Sequence, residues 1–219
     1  MRMAEYSRFP LFQGMTEEAI RNLVLTAGCL EKNFKKGNMI YEENEIIHSM
    51  GMILEGHVYM VKEDLWGEKT ILVRMGPGEL FGENFACSHQ PAASVAFQAA
   101  EPSSILFIPY ERLIRHAGDQ DILPFVKNLI AMMTSKSQEL MKKINITSKK
   151  TLREKILCFL SLEAEKYHSL SFTIPYSRED LAEYLMANRS ALSRELKAME
   201  RDGLIRVHRR EIQILKSIR

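Results

Sequence analysis

Short apolar runs separated by glycines occupy the stretch between about positions 30 and 108 of the chain. Runs of this length, punctuated by turn residues, are typical of antiparallel strands in a barrel or sandwich of the jelly-roll kind. We predict strands at Met50–Leu54, Val58–Lys62, Thr70–Met75, Ser94–Ala99 and Ser104–Phe107. A short helix, with Thr16 as its N-cap, should precede them.

The apolar spacing changes to steps of mostly three and four between about Asp121 and Asn145. The positions are Ile122, Val126, Leu129, Met133, Leu140 and Ile144. This spacing predicts a long helix with a heptad-like apolar stripe. We expect the same helix of a second subunit to cover the stripe, and packing on the chain's own strands is the alternative.

The last third of the chain predicts a small helical domain with a hairpin. A helix should begin at Thr151, followed by a β-prone piece at Ser171–Ile174 and two further helices. The runs Leu204–Val207 and Glu211–Leu215 flank His208–Arg209–Arg210 and are expected to form the hairpin.

Capping signals define the two helices between the β-prone piece and the hairpin. Ser177 followed by Asp180 is typical of a capping box, so the first helix should start there. After a break at Met186–Ala187, Asn188 is a strong N-cap for the second, and Asp202–Gly203 should end it. Two short helices joined by a tight turn form a helix-turn-helix motif.

Composition supports two globular domains, because 219 residues with 46% apolar and 26% charged side chains can build two cores. The net charge of +2 hides an asymmetry. Residues 149–219 hold 15 Lys and Arg against 10 Asp and Glu, whereas residues 1–148 hold 15 against 18. A basic end on an acidic body is expected where that end meets a polyanion.

Cysteine spacing and hydropathy disfavour several classes of protein. Cys29, Cys87 and Cys158 are widely spaced, which disfavours a disulfide framework, a structural zinc and a four-cysteine iron–sulfur cluster. The chain shows neither a signal-peptide core nor a run of ~18 apolar residues. We therefore expect a cytoplasmic protein with no membrane partner.

Polar residues at the start of the second motif helix are the candidate contacts to double-stranded DNA. That helix would enter the major groove, where Arg pairs with guanine and Ser can donate or accept a hydrogen bond. The predicted base-edge contacts are Arg189, Ser190, Ser193 and Arg194, and the predicted phosphate contacts are Ser177, Lys197, Arg209 and Arg210, with Asn188 included at the cap. The alternative is an ordinary helical hairpin with a solvated basic face.

Five segments in this order resemble the CRP/FNR superfamily of bacterial transcription regulators. They are LFQGM, KGNMIYEENE, MILEGHVYMV, GPGELFGE and ANRSALSRELKAMERDGLI. The resemblance implies an α+β protein with three parts: an antiparallel cyclic-nucleotide-binding-type β-roll in residues 1–120, a dimerisation helix in 121–146 and a winged helix-turn-helix in 147–219.

The resemblance also implies how such a protein acts. It would be a homodimer that binds a near-palindromic operator and alters transcription, as activator or repressor, through RNA polymerase. The family's pattern places base contacts at Arg189, Ser190 and Arg194, with Ser193 added in some branches. Met186 stands where many members have glycine, so its turn requires either a conformation without a left-handed residue or some strain.

The family's ligand pattern is incomplete in the roll. Cyclic-AMP-binding members place a Glu on the ribose after a glycine-rich turn, which Gly82 and Glu83 match, and an Arg–Ser pair on the phosphate about ten residues later. That pair falls on Ala93 and Ser94, so the guanidinium is missing and cyclic AMP is not expected.

A different small effector is therefore the favoured hypothesis, with a pocket formed by Gly82, Glu83, Ala93 and Ser94 of the roll and by Thr134 and Ser135 of the long helix. Two alternatives stay open: a heme or gas sensor, and a regulator without an effector. The candidate heme ligands Cys87 and His89 do not align with the family's heme ligands. An enzyme or channel fragment is disfavoured, since residues 149–219 carry no GxSxG, Walker or metal-ligand pattern.

Overall fold

A computed structural model describes residues 3–89, 92–116, 118–174 and 176–216. The chain divides into two compact units, with the boundary between Met132 and Met133. Among the helices in the described ranges, none combines the length and hydropathy needed to span a membrane.

The first unit begins with short helices. Helix α1 spans Met3–Tyr6, a single 3₁₀ turn spans Pro10–Phe12, and α2 spans Glu17–Thr26. The predicted N-cap of α2 is confirmed, because the Thr16 hydroxyl accepts a hydrogen bond from Ala19 N at 3.1 Å. Ile20, Leu23 and Val24 are the buried face of this helix.

Eight antiparallel strands follow and confirm the predicted roll. They are β1 (Leu30–Phe34), β2 (Met39–Tyr41), β3 (Ser49–Glu55), β4 (Val58–Glu63), β5 (Lys69–Met75), β6 (Leu80–Phe81), β7 (Ala96–Ala99) and β8 (Ser103–Pro109). One sheet has the order β1-β8-β3-β6 and the other β2-β7-β4-β5. Short helices α3 (Glu83–Ala86) and α4 (Tyr110–Arg115) complete the unit.

Residues of both sheets share an apolar cluster inside the roll. Buried residues from one sheet, such as Ile53 and Ile105, belong to the same apolar cluster as Val58 and Phe97 from the other. The five predicted strand runs all fall on observed strands, whereas β1, β2 and β6 carry no clear signal. Strand β1 shows why, since four of its five residues are exposed and its sequence is correspondingly polar.

The long helix, α5, spans Leu123–Thr147, so it begins and ends about two residues later than expected. Its first turns are packed within the first unit. Phe125 and Leu129 are buried, and the Asn128 side-chain amide donates to the carbonyl oxygens of Leu11 (3.1 Å) and Gln13 (2.8 Å). The early part of the predicted apolar stripe therefore has a partner inside its own chain.

Exposure corrects the register of the apolar stripe along α5. Of the predicted positions, Ile122 and Leu129 are buried in the roll unit, while Leu140 and Ile144 are exposed. The exposed large residues Ile130, Leu140 and Ile144 fit a strict 3,4 repeat that includes Met133 and Ser137. We call the set 130, 133, 137, 140 and 144 the α5 stripe.

The second unit contains the helix-turn-helix and a small sheet. Its further elements are α6 (Leu152–Tyr167), β9 (Ser171–Thr173), α7 (Arg178–Tyr184), α8 (Arg189–Arg201), β10 (Ile205–His208) and β11 (Glu211–Ile214). Strands β10 and β11 pair as the predicted hairpin, and β9 pairs with β11. One apolar cluster unites α6, α7, α8 and the sheet around Phe159, Leu181, Leu196 and Ile212.

Met186 adopts a left-handed conformation in the turn between α7 and α8, with φ +50°. Of the two possibilities left by the sequence, the structure therefore shows the strained one. A left-handed backbone brings the β-carbon of a non-glycine residue too close to the following carbonyl. The Met186 side chain is 67% exposed, so its packing contributes little free energy to offset the strain.

We expect Met186→Gly to stabilise the second unit. Removing the β-carbon relieves about 1–2 kcal/mol of strain, and the added freedom of the unfolded chain takes back up to about 1 kcal/mol, leaving a net gain of roughly 0.5–1 kcal/mol. Calorimetric unfolding checks this. Met186→Val is the matched control and should lower the unfolding temperature, because a β-branched residue tolerates positive φ least. A Met186→Gly protein less stable than the parent would contradict the strain argument.

Candidate functional site

Helix α8 presents a basic face because its opposite face is buried. Leu192, Leu196 and Met199 are buried in the second-unit core. The N-cap prediction is confirmed, since Asn188 Oδ1 accepts from Ser190 N at 2.8 Å. Cap and core together fix the rotation of the helix, which leaves its polar residues facing outward.

The predicted base-edge residues share this outward face at the start of α8. Arg189, Ser190 and Arg194 are exposed and Ser193 is half-buried. Arg194 Nε donates to Ser190 O at 3.3 Å, so its guanidinium lies along the first turns. Arg189 lies 3.7 Å from a carboxylate oxygen of Glu179 on α7, an exposed pair that costs little to break.

The predicted phosphate contacts described next lie on α8 and on the β10–β11 hairpin. Lys197 is exposed one turn further along and shares an open depression with Arg194, Glu200 and Arg201. Arg201 is a basic residue that the sequence reasoning missed, although its spacing of seven from Arg194 places it on the same face. Arg209 and Arg210 are exposed at the turn of the β10–β11 hairpin.

Ser177 is the N-cap of α7. Its hydroxyl accepts from Asp180 N, and Asp180 Oδ2 accepts from Ser177 N, both at 3.1 Å. These hydrogen bonds to Ser177 hold the pKa of the Asp180 carboxyl below its usual value. The capping box is therefore confirmed, and the hydroxyl proton of Ser177 is the part left to donate to a phosphate.

Two carboxylates of the α8 region are drawn towards α6. Arg153 Nε lies 2.6 Å from Glu195 Oε1, and Arg153 Nη1 lies 2.7 Å from Asp202 Oδ2. The hydrogen bonds to Glu195 and then to Asp202 raise the pKa of Arg153. This arrangement offsets negative charge that would otherwise weaken the positive potential of the exposed face.

The candidate effector region lies around α3 in the roll. Gly82 precedes α3 with φ +73°, a left-handed conformation that glycine adopts without strain. Glu83 is buried at 3% exposure. The assignment of both residues to a ligand turn stays a prediction from the family's pattern.

Ala93 belongs to the apolar core of the roll. It is 1% exposed and clusters with Ile47, Phe81 and Phe97. Ser94 is exposed, and its carbonyl oxygen accepts from Lys62 Nζ at 2.9 Å. The cation next to this segment is therefore Lys62, which is itself paired with Glu43.

Aromatic side chains fill the roll beside Ala93. Phe81 and Phe97 have ring centroids 5.0 Å apart, and Tyr41 contacts Phe81, Phe97 and Phe107 edge-on. Phe85 of α3 joins the same group through Phe97. The sequence reasoning did not find this cluster, because its members are far apart along the chain.

The remaining predicted effector residues, Thr134 and Ser135, are exposed on the part of α5 that belongs to the second unit. The candidate heme ligands differ in character: Cys87 is half-buried and His89 is exposed. Burial, followed by the Glu83 charge, raises the pKa of the Cys87 thiol to about 11. No group of three or more metal-ligating side chains occurs among the described residues.

Sequence comparisons agree with both parts of this arrangement. The cyclic nucleotide-binding domain family matches residues 31–117, and the Crp-like helix-turn-helix domain family matches residues 154–217. A roll of that type joined to this DNA-binding motif defines a DNA-binding transcription regulator. The chain belongs to the CRP/FNR family.

Named relatives match this chain over most of its length. The chain is 26% identical over 217 residues to the cyclic AMP receptor protein of Thermus thermophilus, covering 95% of this chain and 96% of the relative. It is 26% identical over 190 residues to the transcriptional activator protein FnrA of Stutzerimonas stutzeri, covering 84% and 76%. A structure of a CooA variant from Carboxydothermus hydrogenoformans shares the fold with a TM-score of 0.55, 17% identity and coverage of 88% and 86%.

Arg194→Ala is expected to weaken operator binding by roughly 1–3 kcal/mol and to relax sequence preference, because it removes a side chain that can read guanine. Lys197→Ala provides the contrast. It should weaken binding to every DNA similarly and lower the salt slope by about one. Fluorescence anisotropy on operator and scrambled duplexes at several salt concentrations separates the two. Unchanged selectivity in Arg194→Ala would show that α8 docks in another register.

Proposed function

We propose that this protein is a homodimeric, sequence-specific transcription regulator that binds a near-palindromic operator and acts through RNA polymerase. Its membership of a family of DNA-binding regulators supports its role as a transcription regulator that binds DNA. The observation that supports sequence-specific binding is the exposed set Arg189, Ser190 and Arg194 on a helix whose rotation is fixed by its cap and its buried face. We propose no catalytic role.

The α5 stripe supports the homodimer. Ile130, Leu140 and Ile144 are each between 57% and 59% exposed, and Met141 beside them is 67% exposed. Exposed apolar residues at heptad spacing are normally covered by a second helix. Pairing of two α5 helices would give the assembly twofold symmetry, and the two α8 helices would then need to lie about 34 Å apart to enter successive major grooves.

A small effector other than cyclic AMP is the favoured ligand of the roll. Without a guanidinium at Ala93, a cyclic phosphate would lose its charge-assisted pair, and Ala93 itself lies in an apolar cluster. Gly82, Glu83 and Ser94 are the proposed contacts within the roll. An effector bound there would shift the balance between two arrangements of α5 in the dimer.

A regulator without an effector is the second candidate, and the aromatic cluster favours it. Tyr41 packs edge-on against Phe81, Phe97 and Phe107, and Phe81 packs against Phe97 at a tilt, which is the packing of a filled core. Heme is a weaker alternative, because the candidate ligands Cys87 and His89 do not align with the heme ligands of the family.

Substitution of the α5 stripe tests the dimer. Leu140→Glu combined with Ile144→Glu should convert the dimer to a monomer and abolish tight operator binding, because four like charges would meet across a twofold axis. Sedimentation velocity measures the mass. Gln138→Glu combined with Asn145→Glu is the matched control, since it adds two carboxylates at exposed positions of α5 outside the stripe, and it should remain dimeric. A wild-type monomer, or a dimeric stripe variant, would exclude pairing through α5.

Isothermal titration with cyclic AMP tests the ligand proposal. We expect no saturable heat at millimolar cyclic AMP, because the phosphate lacks its guanidinium partner. A screen of other nucleotides and organic acids by thermal shift then separates the two candidates. A ligand that shifts the unfolding of the roll and changes operator affinity supports an effector, and a roll that responds to none supports the second candidate. Saturable cyclic AMP binding would overturn the argument from Ala93.

A further inference from the structure

The hairpin of β10 and β11, which we call the wing, is held by side chains of both motif helices. Its turn consists of Arg209 and Arg210, since His208 and Glu211 are the last paired residues. Arg209 has φ +54°, a left-handed conformation that suits a tight two-residue turn. Strand β9 and the buried residues Ile205 and Ile212 anchor the base of the hairpin. The position of its turn therefore depends on the further contacts that the turn and β10 make.

Arg178 on α7 makes the first of these contacts. Its Nη2 donates to the carbonyl oxygen of Arg209 at 2.9 Å. Arg178 is half-buried, and this burial lowers the pKa of its guanidinium, while the Glu200 carboxylate opposes that shift. The side chain therefore lies beneath the wing, where the negative charge of Glu200 favours its charged form.

Glu200 on α8 makes the second contact. Its Oε1 accepts from the backbone N–H of Val207 on β10 at 2.8 Å. A hydrogen bond to a charged group is stronger than one between neutral groups, and Val207 is half-buried. The backbone of Ile174 adds a third tie, since its N–H donates to Arg210 O at 2.9 Å.

We propose that Arg178 and Glu200 form a clamp that sets the position of the wing relative to the recognition helix α8. The clamp thereby determines which phosphates Arg209 and Arg210 contact while side chains of α8 contact the bases. Both are positioning residues. Arg178 was absent from the predicted DNA-binding set, and here it acts on the wing backbone. This inference rests on the proposed DNA-binding role of the wing.

The clamp makes an unusual prediction for Glu200. Glu200 lines the depression that it shares with Arg194, Lys197 and Arg201. Electrostatics alone predicts that removing a carboxylate from this surface strengthens DNA binding. The clamp predicts the opposite, because Glu200→Met frees the Val207 end of the wing. Glu183→Met is the matched control: it removes the same charge from an exposed position on α7 and should leave affinity unchanged or slightly increase it.

Trypsin provides a readout that does not involve DNA. Arg209 and Arg210 are exposed cleavage points, and a protease needs the local chain to open before it can cut. In the full-length protein, Arg178→Met and Glu200→Met should be cut faster at the wing than the wild type, and Glu183→Met should not. Equal cutting rates in all four proteins would overturn the clamp.

A mutant cycle connects the clamp to DNA. Arg178→Met should weaken operator binding by about tenfold. In a background carrying Arg209→Gln and Arg210→Gln the same change should have no further effect, because the turn of the wing then has no positive charge to position. Additive losses would mean that Arg178 contacts a phosphate itself and would overturn the clamp. Circular dichroism confirms that each variant is folded.

The two kinds of failure are distinguishable. If the wing variants themselves bind operator like the wild type, the proposed phosphate contacts are wrong, whatever trypsin shows. If those contacts matter and the wing loosens without loss of affinity in Arg178→Met, the wing finds its place without the clamp and the inference is overturned.

Discussion

Burial of one face of α8 is the constraint on which the DNA-binding unit depends. Leu192, Leu196 and Met199 enter a core built by α6, α7 and the small sheet, and the Asn188 cap sets where the helix begins. Since a helix has only one rotation that buries these three residues, the exposed position of Arg189, Ser190 and Arg194 follows from packing. Side chains at the periphery then adjust the charge of that face: Arg153 draws Glu195 and Asp202 towards α6.

The roll of the same chain matches a ligand-binding family, but its interior is apolar. Its residues 31–117 match the cyclic nucleotide-binding domain family, yet Ala93 and the rings of Phe81 and Phe97 belong to an apolar cluster inside the roll. A fold can be retained while its site changes, because strand pairing depends on alternating burial along the strands and ligand binding depends on a few polar groups. An identity of 26% to a relative named as a cyclic AMP receptor protein is thus compatible with a different ligand response in this chain.

Helix α5 shows where sequence periodicity reached its limit. The spacing of apolar residues predicted the helix and its length to within about two residues at each end. It did not distinguish apolar residues that face the chain's own roll, such as Leu129, from those that stay exposed, such as Leu140. Both kinds look alike in one dimension, because the same hydrophobic side chain serves an intramolecular core and an intermolecular contact.

The sequence by itself determined the elements whose signals are local. Residues within a few positions of each other predict the caps at Thr16, Ser177 and Asn188, the two motif helices, the hairpin and the five strongest strands. Only the tertiary structure decided which distant groups meet. The aromatic cluster of the roll and the contacts of Arg178 and Glu200 with the wing join residues that are separated along the chain. The strained backbone of Met186 also needed the structure, because a side chain in that turn allowed two conformations. The positions of α7 and α8 in their common core, and no contact of the exposed Met186 side chain, fix the path of the chain between them.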